Sequence, residues 1–256
     1  VPTLSNVGIA SNNSTDTLAI VNDVITVTFT AIEAIGTKVV TFSSAGVAIN
    51  ASRVSYVNTT GNTWTASYTA VGSDTDGAVT YSIVVGDLAG TPGVAVTTGT
   101  GSVTFDDTDP ARTSVVVASN NSLVTHAKSG NVVTVELTTD VAVSQPVVVF
   151  KSGGAVLNNA SGRVITYTNT NSPNKTEWSV AYTVDAADTD GLVSFDIDFS
   201  DIAGNAAATV TSVTDTSSVV VDTTAPTLTS VEIASSFSTN TQASINDTIT
   251  VSYTHL

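Results

Sequence analysis

Residues 22–30 read NDVITVTFT, a run in which Ile, Val and Phe alternate with Thr. Alternation with a period of two puts successive side chains on opposite faces of an extended chain, so the run predicts a strand with one apolar face and one polar face. The same alternation returns at residues 133–137 and 249–253. A chain built on this pattern is expected to be all-β, because no stretch shows a convincing helical period.

The chain repeats itself over a length that suits a whole domain. Similar stretches open at Pro2, Pro110 and Pro226, and the landmarks between them keep their order. Trp64, Tyr68, 74–77 (Asp-Thr-Asp-Gly) and 87–90 (Asp-Leu-Ala-Gly) return as Trp178, Tyr182, 188–191 and 201–204 (Asp-Ile-Ala-Gly). A period this long belongs to tandem domains and not to a solenoid. We therefore predict domains at 1–108 and 109–224, with 225–256 as the first strands of a truncated third domain in a piece of a longer protein; the alternative is that these last strands pair with another subunit.

Each full module is predicted to contain seven strands. In the first module they are expected at 4–10, 23–31, 38–43, 53–58, 63–70, 78–86 and 94–106. Seven short strands separated by Gly, Asn, Asp and Pro favour a two-sheet sandwich of the immunoglobulin type over a closed barrel. Trp64 and Trp178 alternate with polar neighbours, so we expect both to anchor cores; the alternative is an exposed platform for a sugar.

Several motifs resemble those of bacterial Ig-like repeat domains. Residues 223–228 followed by 246–251 resemble the entry of such domains, residues 22–30 match the same pattern, and 201–205 (Asp-Ile-Ala-Gly-Asn) is similar to a turn near their end. The first module departs from this turn at Thr91, where the family pattern has Asn. The resemblance implies tandem Ig-like domains of a large surface protein, such as an adhesin, a surface-layer protein or a fibre.

The charge of the chain argues against several classes of partner; the alternative is that it serves solubility alone. It has 22 acidic and 7 basic residues, a net charge of −15, and no Cys. An acidic surface repels phosphate backbones and anionic lipids, which argues against nucleic acid and anionic membrane surfaces. No apolar run reaches the roughly 18 residues of a membrane span, so direct membrane insertion is not expected. The Ser-, Thr- and Asn-rich composition suggests an extracellular location at a cell surface.

Aspartates are predicted to gather where one module meets the next. If the strands alternate up and down, one pole of the first module collects loop and linker acids, and one loop of the second module faces them. This places Asp74, Asp76, Asp106, Asp107, Asp109 and Asp201 at the first junction and Asp188, Asp190 and Asp222 at the second. Arg112 is the only cation expected nearby. Calcium accepts six to eight oxygen ligands, so we predict a calcium ion that stiffens the junction; the alternative is that these residues only form turns and cap strand ends.

These observations favour a structural role. The two histidines, His126 and His255, lie in different repeats, and no catalytic triad or phosphate loop is found, so no enzymatic function is predicted. The favoured function is a stalk or spacer whose partners are the neighbouring Ig-like domains of the chain. The alternatives are an adhesin module that binds a surface glycan, for which Tyr56 and Tyr167 are the aromatic residues without an assigned inward position, and a surface-layer element that assembles with other copies.

Overall fold

Strands account for nearly all regular structure in the computed structural model, which describes residues 1–157, 164–239 and 241–255. The first module has β1 Leu4–Ser11, β2 Leu18–Ala19, β3 Val24–Ala31, β4 Ile35–Ser44, β5 Val47–Ala48, β6 Ser55–Thr60, β7 Thr63–Thr69, β8 Gly77–Asp87 and β9 Val103–Phe105, with a 3-10 turn at Ala51–Arg53. The second has β10 Arg112–Ser119, β11 His126–Ala127, β12 Val132–Thr139, β13 Val147–Ser152, β14 Ala155–Leu157, β15 Thr166–Asn169, β16 Glu177–Thr183, β17 Gly191–Asp198 and β18 Val220–Val221. A last pair follows, β19 Leu228–Ser235 and β20 Ile249–His255.

The strands of each module form two sheets with the same order. In the first module the orders are β1-β3-β7-β6 and β2-β9-β8-β4-β5, and in the second they are β10-β12-β16-β15 and β11-β18-β17-β13-β14. The short strands β2 and β11 pair in parallel with β9 and β18, whereas the other strand pairs are antiparallel. This is the two-sheet arrangement of an immunoglobulin-like sandwich, so the predicted fold class, tandem Ig-like β-sandwiches, is confirmed.

The alternation in the sequence creates one core in each module. Ile25, Val27 and Phe29 of β3 are fully buried and pack with residues from both sheets of the first module. The equivalent face of β12 lies in the separate core of the second module, which also contains Trp178. Trp178 is therefore a core anchor as predicted, and Trp64 is partly buried against the first core.

All seven predicted strands of the first module are present, and two very short ones are added. β2 and β5 have two residues each, too few to show a period in the sequence. The strand predicted at 94–106 is continuous only in β9, and before it the chain makes single bridges at Pro92, Val96 and Thr100. Pro lacks an amide hydrogen and Gly weakens a strand, so the Pro- and Gly-rich segment cannot form an unbroken ladder.

One backbone conformation recurs before the main strand of every repeat. Asn22, Gly130 and Asn246 occupy equivalent positions and have φ angles of 76°, 85° and 77°. Asn and Gly tolerate this left-handed region better than other residues, and the turn that it forms delivers the chain into β3, β12 and β20. The three turns thus fix the entry to the strand that carries the alternating pattern.

The strands β19 and β20 repeat the pairing of β1 with β3 and of β10 with β12. They pair antiparallel with an irregularity between Leu228 and Ser230, as β10 does between Arg112 and Ser114. Their apolar side chains, including Ile233, are exposed. The three sets of strands fall within 1–108, 109–224 and 225–256, although the boundaries themselves stay a prediction. In the described part of the chain, no helix has the length and apolar character needed to cross a membrane.

Candidate functional site

The loop Asp201–Asn205 of the second module lies against the base of the first module. The side-chain Nδ2 of Asn205 donates to the main-chain oxygen of Asp106 over 2.9 Å. In the opposite direction, Nδ2 of Asn13 donates to the main-chain oxygen of Ala203 over 3.0 Å. Each module therefore contributes one asparagine side chain that donates a hydrogen bond to a main-chain oxygen of the other module. We call this contact the joint.

The loop is organised from within by the carboxylate of Asp201. One oxygen, Oδ1, accepts the main-chain N–H groups of Gly204 and Asn205 over 2.6 and 2.9 Å. The other, Oδ2, accepts Nδ2 of Asn205 over 3.0 Å, which aims this amide at the first module. Gly204 has a φ of 113°, a backbone conformation in which a residue with a side chain would be strained. The Asp-x-Ala-Gly-Asn sequence thus builds a rigid loop with an oriented donor.

The equivalent loop of the first module makes no hydrogen bond to another module within the described residues, so the two loops can be compared. At residues 87–91, Oδ1 of Asp87 accepts the N–H of Thr91 over 2.8 Å, so the turn forms. There Asp87 is half-buried and Thr91 is exposed, whereas their equivalents Asp201 and Asn205 in the second module are only 5% and 8% exposed. The turn forms in both modules, but the loop is buried only in the second. Its burial therefore goes with docking against the first module and not with formation of the turn.

The receiving surface of the first module is also held in place. Nδ2 of Asn13 donates to Oδ2 of Asp23 over 2.8 Å, and the same oxygen accepts the N–H of Ile20 over 2.8 Å. The Cδ1 atom of Ile20 lies 3.7 Å from the position that a Cβ on Gly204 would occupy, so the two modules are in close contact here. Two polar contacts and one apolar contact thus define the joint.

The first aspartate of the Asp-Thr-Asp-Gly motif is engaged by a cation within its own module. Asp74 receives two hydrogen bonds from the guanidinium of Arg53, over 2.6 and 2.7 Å, and one from the N–H of Val71 over 3.0 Å. Burial by itself raises the pKa of Asp74, but the bonds from Arg53 and Val71 outweigh it and the pKa lies below its usual value. The expectation that Arg112 is the only nearby cation is wrong, because the topology brings Arg53 here; Arg112 donates to the main-chain oxygen of Ser212.

The second aspartate of the motif holds the linker that leaves the module. Asp76 accepts the N–H of Asp107 over 2.9 Å and the hydroxyl of Thr108 over 2.7 Å. Asp190, its equivalent, accepts the N–H and hydroxyl of Thr223 and the hydroxyl of Thr224, at 2.7–2.8 Å. The bonds from Thr224 and then Thr223 lower the pKa of Asp190. We call this arrangement the linker clamp.

Other predicted ligands serve turns and the linker. Asp106 and Asp222 each accept the main-chain N–H two residues further on, over 3.1 and 3.0 Å. Asp188 accepts the N–H of Asp185 over 2.9 Å. Asp107 and Asp109 are exposed in the linker. Short Asp-to-backbone bonds of this kind are the turn-forming role that was the alternative to metal binding.

Some of the predicted acids do converge. Burial raises the pKa of Asp106, and the negative charges of Asp201, Asp76 and Asp107 raise it further against the opposing bond from Thr108. Four predicted ligands therefore share one electrostatic environment, while Arg53 neutralises Asp74. Within 1–157, 164–239 and 241–255, no three acidic or histidine side chains form a group that could hold a metal ion. The assignment of these aspartates as calcium ligands stays a prediction.

Sequence reasoning missed one of the two asparagines that make the joint. Asn13 had no predicted role at the junction, although its motif, Ser-Asn-Asn-Ser at 11–14, recurs at 119–122. Tyr56 and Tyr167, which had no assigned place, bridge the two sheets of their modules. The Tyr56 hydroxyl accepts the N–H of Val40 over 2.9 Å, and the Tyr167 hydroxyl lies in the equivalent position.

Comparisons with known proteins found only distantly similar structures. No protein-family model and no curated protein matches the chain. Among solved structures, an I-band fragment from titin is 10% identical with a TM-score of 0.44, over 93% of this chain and 79% of that one. Tandem Ig repeats of Dlar are 12% identical with a TM-score of 0.25, over 87% of this chain and 98% of that one. At these values the similarity gives no information about function.

Proposed function

We propose that this chain is a non-catalytic spacer in an extracellular surface protein, and that its joints hold successive Ig-like modules in a fixed orientation. The observation that carries the proposal is the reciprocal pair of hydrogen bonds from Asn205 to Asp106 and from Asn13 to Ala203. A spacer that sets a distance needs resistance to bending between its modules. Bonds made in both directions by side chains that are themselves held in place supply that resistance.

The linker adds a second restraint. Only residues 106–111 separate β9 from β10. Within them Asp76 clamps Thr108, and Pro110, which is buried, has a fixed φ angle. A linker this short, with a clamp at one end and a proline at the other, has few conformations left. The joint and the linker clamp therefore act on the same degree of freedom, the angle between the modules.

Residual dipolar couplings of the whole chain in a weakly aligning medium test the proposal. If the joint is rigid, one alignment tensor fits the amides of β1–β9 and β10–β18 together. In an Asn13→Ala, Asn205→Ala variant, we expect two tensors of different magnitude, because the modules then reorient independently. Two independent tensors in the unmodified chain would refute a spacer of fixed geometry.

We propose calcium binding at the first junction as a separate hypothesis. It is supported by the shared environment of Asp106, Asp201, Asp76 and Asp107, whose mutual repulsion a divalent cation would relieve. Calorimetric titration should give heat of binding and a rise in melting temperature at millimolar calcium. An Asp106→Asn, Asp109→Asn variant should lose both effects. If the unmodified chain shows neither, the joint works without metal and the spacer proposal stands.

The adhesin and surface-layer alternatives stay predictions. The hydroxyl of Tyr56 is engaged by Val40, and the ammonium of Lys38 lies 3.8 Å from the centre of the Trp64 ring, so these rings already have partners. A glycan array tests for sugar binding. Sheets or filaments of the purified chain in electron micrographs would support assembly into a surface layer.

A further inference from the structure

A cleft of about 510 Å³ opens at the base of the second module. It lies between the loop that follows β10 and the linker that leaves β18. Its lining includes Asn121, Ala127, Lys128, Asp222, Thr224 and Pro226. The strands β19 and β20 follow this linker, but their residues do not line the cleft. The cleft is therefore a surface of the second module and its exit linker.

The repeat relates this cleft to a surface that is occupied in the first module. Asn121 and Asp222 are the repeat equivalents of Asn13 and Asp106, the two first-module residues that make hydrogen bonds across the joint. Lys128 is the equivalent of Ile20, which contacts the loop near Gly204. In the first module this surface receives the Asp201–Asn205 loop.

The side-chain amide of Asn121 in the second module is oriented by the same hydrogen bonds as that of Asn13 in the first. Nδ2 of Asn121 donates to Oδ1 of Asn131 over 3.1 Å, as Nδ2 of Asn13 donates to Asp23. Oδ1 of Asn131 also accepts the N–H of Lys128 over 2.9 Å, as Asp23 accepts that of Ile20. The orientation that lets Asn13 reach Ala203 is thus reproduced at Asn121.

We infer that the cleft is a socket for the Asp-x-Ala-Gly-Asn loop of a further Ig-like module. In it, the asparagine amide of the loop donates to the main-chain oxygen of Asp222, and Asn121 donates to the main-chain oxygen of the loop alanine. The inference rests on the proposed function, since it extends the joint to a second place. It assigns the partner by chemistry: an oriented asparagine amide on a tight, aspartate-stabilised turn.

Two exchanges make the second socket less acidic than the first. Lys128 replaces an isoleucine, and Asn131 replaces an aspartate. An occupant that carries an aspartate is favoured by such a change, because like-charge repulsion falls. The loop at 87–91 does not fit, since Thr91 lacks the amide donor. The loop at 201–205 is already docked in the joint of its own chain, so a second copy is not the expected occupant.

Titration of the whole isotope-labelled chain with a cyclic peptide of residues 199–207 tests the socket. The peptide is closed between its ends, where the N–H of Ala207 donates to the oxygen of Phe199 over 3.0 Å. We expect saturable shifts of the amide signals of Asn121, Lys128 and Asp222. A control peptide with Asn205→Thr, which copies the first-module loop, should bind at least about tenfold more weakly, because it cannot make the asparagine bond.

The chain variant Asn121→Ala removes the amide donor of the socket, just as the control peptide removes the amide donor of the loop. Its other amide signals should stay in place, which shows that it folds, while the peptide shifts weaken by about tenfold or more. The inference is overturned if the unmodified chain gives no saturable shifts, if only signals near Asn13 move, or if both peptides bind equally. It is also overturned if sedimentation shows a dimer that Asn121→Ala abolishes, since the occupant is then a second copy. The residual dipolar couplings of the two modules test the spacer proposal separately, so either idea can fail without the other.

Discussion

Replacement of Asn205 by Ala should destabilise the second module and loosen the joint. The substitution removes a bond to the carboxylate of Asp201 and a bond to the main chain of Asp106. A hydrogen bond to a charged group contributes about 1.5–3 kcal/mol and a neutral one about 1 kcal/mol, so the free energy of unfolding should fall by about 2.5–4 kcal/mol. The smaller part of this loss comes from the bond across the joint to Asp106. The larger part comes from the bond to Asp201 within the second module.

Urea unfolding followed by tryptophan fluorescence measures this effect module by module, because each module has one tryptophan. In a Trp64→Phe background the signal reports Trp178 and therefore the second module. Thr91→Ala, read through Trp64, is the matched control: it alters the equivalent loop position where no module docks, and it should change the free energy of unfolding by less than about 0.5 kcal/mol. If Asn205→Ala also changes it by less than that, Asn205 does not hold the loop and the reasoning fails.

Three further predictions concern the carboxylates and the linker. Arg53→Gln should destabilise the first module by about 1–3 kcal/mol at neutral pH, because Asp74 loses its charged partner; since the folded pKa of Asp74 is lowered, urea titrations should show this loss shrinking as the pH falls through that pKa. Asp106→Asn should stabilise the chain at pH 7, because the folded pKa of Asp106 is raised; the gain should vanish below the ordinary aspartate pKa of about 3.9, and a constant gain across the pH range would contradict the assignment. Thr108→Val should release the linker clamp with little change in the unfolding of either core, but with a larger difference between the alignment tensors of the two modules.

The fold was readable from the sequence because burial follows the period of the strands. Alternation at residues 22–30 placed Ile25, Val27 and Phe29 on one face, and all three are fully buried. The strands that were missed, β2 and β5, have two residues each and depend on partners far along the chain. Parallel pairing of β2 with β9 is a tertiary property, and no local pattern in residues 18–19 announces it.

The site was readable only in part, since the joint depends on which side chains meet across modules. The sequence indicated that Asp76, Asp106, Asp107 and Asp201 would come together, and the electrostatic environment of Asp106 agrees. It did not indicate that Arg53 would reach Asp74, because those residues meet only through the fold of the first module. An aspartate in a turn looks the same in a sequence whether it binds a cation, a backbone amide or an arginine.

The two asparagines of the joint differ in what stands at the equivalent position of the other module. Asn205 corresponds to Thr91, whereas Asn13 corresponds to Asn121. Asn205 acts where its loop faces another module, whereas at the equivalent place in the first module the exposed Thr91 bonds through its side chain to Asp87 of the same loop. Asn13 and Asn121 act on the opposite pole, and both modules keep that residue together with its orienting partner. An amide nitrogen carries two hydrogens, and Asn13 donates one to Asp23 and the other to Ala203, so two acceptors are also expected at Asn121. The presence of Asn121, in the geometry of Asn13, is therefore the feature of the second module that points to a loop beyond it.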